Sequence, residues 1–210
     1  PLFYGKTEGS TPFRFSLHVG DVGHTLVVGP TGAGKSVLLA LIALQFRRYP
    51  DAQVFAFDFG GSIRAAALAM GGDWHDLGGS LTDGAATSVS LQPLARVHET
   101  HERAWAADWV AAILAREGVT ITPEVKEHLW TALTSLASAP ITERTLTGLA
   151  VLLQSNDLKQ ALRPYCVGGA YGRLLDAEGE QLGEAAVQAF ETEGLIGGGA
   201  APAVLAYLFH

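Results

Sequence analysis

Residues 29–36 form the octet that decides the fold: Gly29, Pro30, Thr31, Gly32, Ala33, Gly34, Lys35 and Ser36. The octet satisfies the pattern G-x-x-x-x-G-K-[ST], in which glycines let consecutive backbone N–H groups approach a phosphate without an intervening side chain. An apolar run precedes the octet and a helical pattern follows it, which is the setting that this chemistry requires. The octet therefore predicts a phosphate-binding loop at the start of a helix.

The residues around the octet predict a strand, a loop, a helix and a second strand. His24–Val28 supplies the first apolar run, and the stretch from Lys35 to Tyr49 is rich in Leu, Ile and Ala without Gly or Pro. This helix is apolar nearly all round, which predicts a buried helix, and it ends in basic residues that suit its dipole. The second run, 54–57, stops at Asp58, so a right-handed crossover in a parallel sheet is expected by that residue.

Residues 97–163 change character and predict an all-α insertion in a domain made of 1–96 and 164–210. Within the insertion, Trp105 and Trp109 mark a first helix, and Thr122 is predicted to cap a second helix with Pro123 in its first turn. Third and fourth helices are expected over 142–154 and 157–162. A further strand is predicted at 186–190, and a last helix from about residue 202. The predicted fold class is α/β with a parallel sheet flanked by helices.

Composition limits the classes of partner and compartment. The formal charge is −7 and the pI is about 5.4, so a chain-wide basic surface for nucleic acid is not expected; DNA binding through a local patch stays open. Cys166 is the only cysteine, which excludes an intrachain disulfide and predicts a small packed side chain. No apolar run reaches membrane-spanning length, and the first residues lack signal-peptide features, so a cytoplasmic location is predicted.

The octet assigns specific roles to its last residues. Lys35 is predicted to bridge the β- and γ-phosphates as a catalytic point charge, and the Ser36 hydroxyl to bind Mg²⁺. The predicted cofactors are ATP and Mg²⁺, and the sequence leaves the preference for the nucleotide base open. The predicted binding residues are Gly29, Pro30, Thr31, Gly32, Ala33, Gly34, Lys35, Ser36 and Val37.

An acidic residue at the end of a strand is also needed to hold Mg²⁺ through water, and the sequence leaves its identity open. Asp58 ends the strand that directly follows the loop helix, so it is assigned a supporting or substrate-side role. Glu191 ends the strand predicted at 186–190 and is a second candidate. The third possibility is an acidic strand beyond His210.

Other side chains carry weaker signals. His98 and His101 could share a helix face, but a metal site would need a third ligand, so solvated positions at a helix start are expected. Arg144, Arg163 and Arg173 are candidates for an arginine inserted into a neighbouring subunit's site, and the sequence does not rank them. Three tryptophans, Trp105, Trp109 and Trp130, are expected to be packing anchors more than platforms for bases.

With these residues in view, the sequence resembles the C-terminal ATPase domain of the CagE/TrbE/VirB family of type IV secretion and conjugation ATPases. The resemblance covers nearly the whole chain. It is carried by the octet and by seven further segments: Thr11–Phe15, Asp21–Leu26, Gln45–Pro50, Phe55–Asp58, Gly172–Asp176, Phe190–Glu191 and Val204–Phe209.

The resemblance implies a RecA-like P-loop NTPase domain with an all-α insertion. It further implies a hexameric motor at the cytoplasmic face of a bacterial inner-membrane secretion channel, driving pilus assembly or export of DNA or protein. Family members carry a Leu-Asp-Glu-Ala-Trp segment after the last helix; this chain lacks it, so a fragment is expected. They often have Asp-Lys-Gly-Arg-Ser where this chain has residues 58–62, and losing those basic residues puts any phosphate or subunit contact there in doubt.

Two alternatives stay open at this point. One is a hexameric DNA translocase of the FtsK/HerA kind, for which steeply salt-dependent DNA binding and stimulation of the ATPase by DNA are expected. The other is a chain that binds nucleotide without hydrolysing it, because the hydrolytic carboxylates lie elsewhere.

Overall fold

The computed structural model describes residues 1–78 and 89–210. These residues form two compact units, one of 1–78 with 183–193 and the other of 89–182 with 194–210. The second unit extends past the predicted insertion, 97–163, on both sides. Residues 79–88 of the predicted domain 1–96 lie outside the described residues, and the division into a nucleotide-binding domain and an insertion stays a prediction.

The first unit begins with an antiparallel hairpin of two strands, β1 (Phe3–Lys6) and β2 (Pro12–Phe15). The rings of Phe3 and Phe15 stack across the hairpin with their centroids 4.6 Å apart. Such cross-strand aromatic pairs stabilise a two-stranded ribbon that has little else to hold it.

The same unit contains a parallel sheet. Helix α1 is Lys35–Phe46, β3 is Val54–Asp58, α2 is Arg64–Ala69, β4 is Asp73–Asp76 and β5 is Val187–Glu191. The strand order is β3, β5, β4, and both pairings are parallel. All five residues of β5 are buried, as expected for the middle strand of a parallel sheet. The parallel sheet and the strands predicted at 54–57 and 186–190 are confirmed to within one residue.

One face of this sheet carries the hydrophobic core of the unit. Its buried members are Ile63 and Ala67 from the α2 region, Trp74 from β4, and Val187 and Ala189 from β5. Partly buried residues of α1, α2 and β3 pack against this cluster. The sheet therefore holds α2 by apolar contact, and α2 in turn fixes the turn that follows β3.

The strand predicted at His24–Val28 is wrong. Residues 23–30 have no regular structure, and the side chains of Leu26 and Val28 are 86% and 82% exposed. An apolar run becomes a strand only where a neighbour offers backbone partners, and the described strands of the parallel sheet pair only with one another. The crossover predicted to end at residue 58 is therefore not formed; the parallel connection in the structure runs through β3, α2 and β4.

The prediction that α1 is a buried helix is also wrong. Ala43 is its one buried residue, whereas Val37 is 73% and Leu44 is 52% exposed. Ala40 packs against the sheet core, so the helix uses one side for that contact. An apolar pattern around the whole helix shows that burial is favourable, but it does not show which face has a neighbour.

The second unit is helical. Its helices are α3 (Thr100–Arg116), α4 (Pro123–Leu136), α5 (Leu146–Leu152), α6 (Asn156–Leu162), α7 (Gly172–Leu175) and α8 (Ala201–Leu208). The helices predicted around Trp105, from Pro123, over 157–162 and near residue 202 are confirmed. None of the helices in the described chain combines the length and the apolar character that crossing a bilayer requires.

Side-chain caps mark the starts of α4 and α5. The Thr122 hydroxyl accepts a hydrogen bond from the Val125 N–H at 3.2 Å, so the predicted cap ahead of Pro123 is confirmed. The continuous helix predicted over 142–154 is wrong, because a short 3-10 turn at Ile141–Glu143 precedes α5. The Thr145 hydroxyl accepts from the Gly148 N–H at 3.0 Å and starts the helix anew.

Packing between α3 and α8 uses the predicted tryptophan anchors. Trp109 is buried, and its indole N–H donates to the carbonyl of Ala203 at 3.0 Å. Trp105 stacks on Trp109, with ring centroids 5.6 Å apart. Trp130 differs, because it is 42% exposed and lies under the Arg103 guanidinium. The anchor prediction thus holds best for Trp109.

Residues 166–176 form a tightly closed segment in the helical unit. The carboxylate of Asp176 is buried and accepts hydrogen bonds from the Val167 N–H at 2.7 Å and from both the N–H and the hydroxyl of Thr147. The Cys166 thiol is buried as predicted, and burial raises its pKa to about 11. Gly172 is buried so closely that a Cβ there would overlap the carbonyl of Cys166.

Gly172→Ala should destabilise the fold by about 1–3 kcal/mol, because a methyl group at this position must displace backbone. Urea unfolding followed by circular dichroism measures the change. Gly179→Ala is the matched control, since a Cβ at Gly179 meets no atom within 4 Å. Equal midpoints for the two variants would contradict the close packing of this segment.

Candidate functional site

The loop of residues 29–36 turns through two glycines in the left-handed region of backbone conformation. The φ angles are +82° at Gly32 and +83° at Gly34, values that side-chain-bearing residues adopt only with strain. A Cβ at either glycine would meet no atom within 4 Å, so the space around them is open. The loop therefore exposes its backbone on the side where a ligand could approach.

Helix α1 begins at Lys35, within the last two residues of this loop, and no side chain caps it. The N–H groups of the first helical turn have no acceptor within the helix, and they carry the positive end of its dipole. An uncapped helix start beside open space is suited to binding an anion. The predicted residues Lys35, Ser36 and Val37 are the first three residues of this helix.

The ammonium group of Lys35 lies at the loop itself. Its Nζ donates to the carbonyl oxygens of Gly29 and Pro30, at 2.8 Å each. The side chain thus folds back along the loop, and its positive charge lies against the first two residues of the loop. Lys35 is also the first residue of α1, so the loop carries both a positive charge and a helix N-terminus.

Ser36 lines a groove of about 400 Å³ between α1 and β3. Apolar side chains line most of the groove, among them Leu39, Ile42 and Phe46 from α1. Its polar lining includes Ser36, Asp58 and Ser62. The structure therefore brings the predicted Mg²⁺ ligand and Asp58 to one cavity, although 22 positions separate them in the sequence.

Asp58 is fixed by the start of α2. One carboxylate oxygen accepts from the Ser62 hydroxyl at 2.7 Å, and the other accepts from the Ile63 N–H at 2.8 Å. The backbone carbonyl of Asp58 accepts from both the N–H and the hydroxyl of Thr192, at 3.0 and 2.6 Å. The half-buried carboxylate is therefore held in one orientation at the carboxyl end of β3.

Glu191 occupies the equivalent position on β5, in register with Asp58. It is buried, and its carboxylate accepts from the N–H groups of Gly60, Gly61 and Glu193. Gly60 and Gly61 both have positive φ, so the two N–H groups converge on the carboxylate in the manner of an anion-binding nest. Glu191 does not line the groove that contains Ser36. Its three donors give it a structural role in closing the turn after β3.

The weaker candidates are distributed over the helical unit. His98 Nδ1 lies 2.9 Å from the Arg144 guanidinium, which also donates to the carbonyls of Ala139 and Ala95 at 3.0 Å each. His101 Nε2 lies 3.5 Å from Glu102. Among the described residues no cluster of three His, Cys, Asp or Glu could hold a metal ion.

The three candidate arginines differ in how they are used. Arg144 is committed to the carbonyl and histidine contacts within its own unit, so it is a poor candidate for insertion into a neighbouring subunit. Arg163 and Arg173 are exposed. The structure therefore disfavours Arg144 as the arginine inserted into a neighbouring subunit, and it does not choose between Arg163 and Arg173.

Two contributors to the site, Ser62 and Thr192, were not predicted from the sequence. Ser62 follows Asp58 by four positions, across two glycines that mark a turn in the sequence. Thr192 had no such signal, because its contact with Asp58 joins residues 134 positions apart. The role of the Gly60–Gly61 turn was likewise not predictable, since its acceptor comes from β5.

Comparison with known proteins identifies relatives over the full chain. The chain is 47% identical over 212 residues to a probable conjugal transfer protein TrbE of Sinorhizobium fredii, covering all of this chain and 32% of that protein. It is 45% identical over 213 residues to conjugal transfer protein TrbE of Rhizobium radiobacter, covering all of this chain and 26% of that protein.

The chain is therefore similar over its full length to a part of these two TrbE proteins. A more distant relative is the type IV secretion system protein virB4 of Bartonella henselae, 26% identical over 181 residues, or 84% of this chain and 22% of that protein. No family model matches the sequence. The chain spans about a third or less of the length of the TrbE proteins it matches, and the similarity to them agrees with the resemblance seen in the sequence.

Glu191→Gln should lower the free energy of unfolding by about 2 kcal/mol, because a charged acceptor of three N–H groups becomes a neutral one. Glu193→Gln is the control, because Glu193 lies two positions after Glu191 and its side chain is exposed. Chemical denaturation of both variants at neutral pH provides the measurement. A Glu191→Gln midpoint equal to that of Glu193→Gln would contradict the structural role of this carboxylate.

Proposed function

We propose that residues 29–37 bind the phosphates of ATP with Mg²⁺, in a motor domain of a conjugal transfer or type IV secretion ATPase. The observation that carries the proposal is the geometry of the loop. Two left-handed glycines lead into an uncapped helix start, and the ammonium group of Lys35 lies against the same loop. The loop and the helix match a P-loop NTPase with a RecA-like fold, whereas residues 23–30 before the loop do not form the strand of that pattern.

The donor set fits a polyphosphate. A phosphate at the loop would accept hydrogen bonds from backbone N–H groups of the first turn of α1, and Lys35 would neutralise the charge shared by the β- and γ-phosphates. The open space beside Gly32 and Gly34 leaves room for the phosphate oxygens. Lys35 is therefore assigned the role of charge stabilisation, both in binding and as charge develops during phosphoryl transfer.

The same site fits Mg²⁺. Ser36 is exposed at the helix start and supplies a hydroxyl oxygen, the class of ligand that Mg²⁺ takes together with phosphate oxygens and water. The bound cation would supply neutralisation of phosphate charge. Ser36 would hold it next to the N–H groups that hold the phosphates.

The wider role follows from the relatives. Proteins similar to this chain are named conjugal transfer protein TrbE and type IV secretion system protein virB4. We assign the complete protein to ATP hydrolysis that drives pilus assembly or export of DNA or protein. Its partners would be inner-membrane secretion components and further copies of itself, in a hexamer at the cytoplasmic face of a bacterial inner membrane. The net charge of −7 favours protein partners over direct DNA binding.

Lys35→Ala should weaken ATP binding by about ten- to a hundredfold, corresponding to the roughly 1.5–3 kcal/mol of a hydrogen bond to a charged group. Isothermal titration calorimetry with ATP measures the dissociation constant. Lys126→Ala is the control, since Lys126 is an exposed lysine on α4 of the other unit. Unchanged affinity in Lys35→Ala would show that the loop does not bind phosphate in the proposed way.

A further inference from the structure

The groove beside α1 brings a carboxylate to the residue predicted to bind Mg²⁺. We propose that Asp58 completes this cation site, by accepting a hydrogen bond from a water molecule bound to the divalent cation at Ser36. The inference rests on the proposed function, because the cation arrives with the nucleotide phosphates. It assigns to Asp58 a positioning role that the loop motif itself does not contain.

Ser36 and Asp58 lie at comparable distances along α1 and β3 from the connection between these two elements. Phe46 ends α1, seven residues separate it from Val54 at the start of β3, and Phe46 and Val54 both line the groove. Ser36 is ten residues back, about 15 Å along the helix, while Asp58 is four residues on, about 13 Å along the strand. Both residues line the cavity, so its polar end combines the two.

The carboxylate of Asp58 retains capacity for a further donor. A carboxylate offers about four lone-pair positions, and the hydrogen bonds from Ser62 and from Ile63 use one on each oxygen. Those two bonds fix the orientation of the group and leave it half-buried at the groove. A fixed anionic oxygen facing a cavity is suited to a hydrated Mg²⁺, which keeps several waters when bound.

The neighbouring acids are less suitable. Glu191 is buried, holds three N–H donors and does not line the groove. Asp76 ends β4, which lies two strands from β3, about 10 Å across the sheet. Asp76 also does not line the groove. It lies at the carboxyl end of its strand, as Asp58 does, and therefore serves as a matched control.

The test separates cation binding from phosphate binding. ATP affinity is measured with saturating Mg²⁺ and again with EDTA, for the wild-type protein, Asp58→Asn and Asp76→Asn. We expect Asp58→Asn to weaken binding about tenfold with Mg²⁺, the usual loss when a partner of a metal-bound ligand is removed, and to leave binding in EDTA unchanged. Asp76→Asn should match the wild type in both conditions.

Three results would overturn the inference: wild-type behaviour of Asp58→Asn with Mg²⁺, an equal loss with and without Mg²⁺, or a wild-type affinity that does not depend on Mg²⁺. The proposed function fails separately, if the wild type does not bind ATP at saturating Mg²⁺ or if Lys35→Ala binds it normally. Asp58→Glu keeps the charge and should restore part of the Mg²⁺ dependence. Should Asp58→Asn not fold, Asp58→Glu carries the test through a smaller loss with Mg²⁺ alone, and the absence of that loss overturns the inference.

Discussion

Burying the carboxylate of Glu191 constrains much of the sheet unit. A buried anion without donors would cost several kcal/mol, so the chain must bring N–H groups to it. The turn after β3 does so through two consecutive glycines, and Thr192 ties the same turn region to the Asp58 backbone. These hydrogen bonds hold the carboxyl ends of β3 and β5 together. They also position the residues just before α2, Ser62 and Ile63, which orient the Asp58 side chain.

The phosphate loop is built differently, because it is held from within its own stretch of sequence. Lys35 closes the loop on two carbonyls only five and six residues away, and the left-handed glycines permit the turn without help from the rest of the molecule. Ser36, at the end of the loop, and Asp58, at the end of β3, both line the groove. The proposed cation site therefore depends on local contacts in the loop and on long-range contacts in the sheet unit.

Local chemistry explains what could be predicted from the sequence. The Thr122 cap needed only neighbouring residues, and the positive φ angles of the loop agree with the glycine pattern of the octet. The run 54–57 was predicted from its apolar pattern, and it forms a strand because β5 offers backbone partners. Two predictions failed because they depend on contacts that the local pattern does not specify. These are the strand at His24–Val28 and the burial of α1. Glu191 belongs to the same class, because its partners lie about 130 positions away. A strand-ending glutamate looks identical in sequence whether it binds a cation or closes a turn.

The burial of Cys166 has a practical consequence for work on this protein. A thiol with a pKa of about 11 is almost fully protonated at neutral pH, and the thiolate is the form that attacks maleimides and other electrophiles. The only native cysteine should therefore contribute little background to labelling. A single cysteine introduced on an exposed surface, such as the outer side of α1, would give a spectroscopic reporter at one defined position without first removing the native residue.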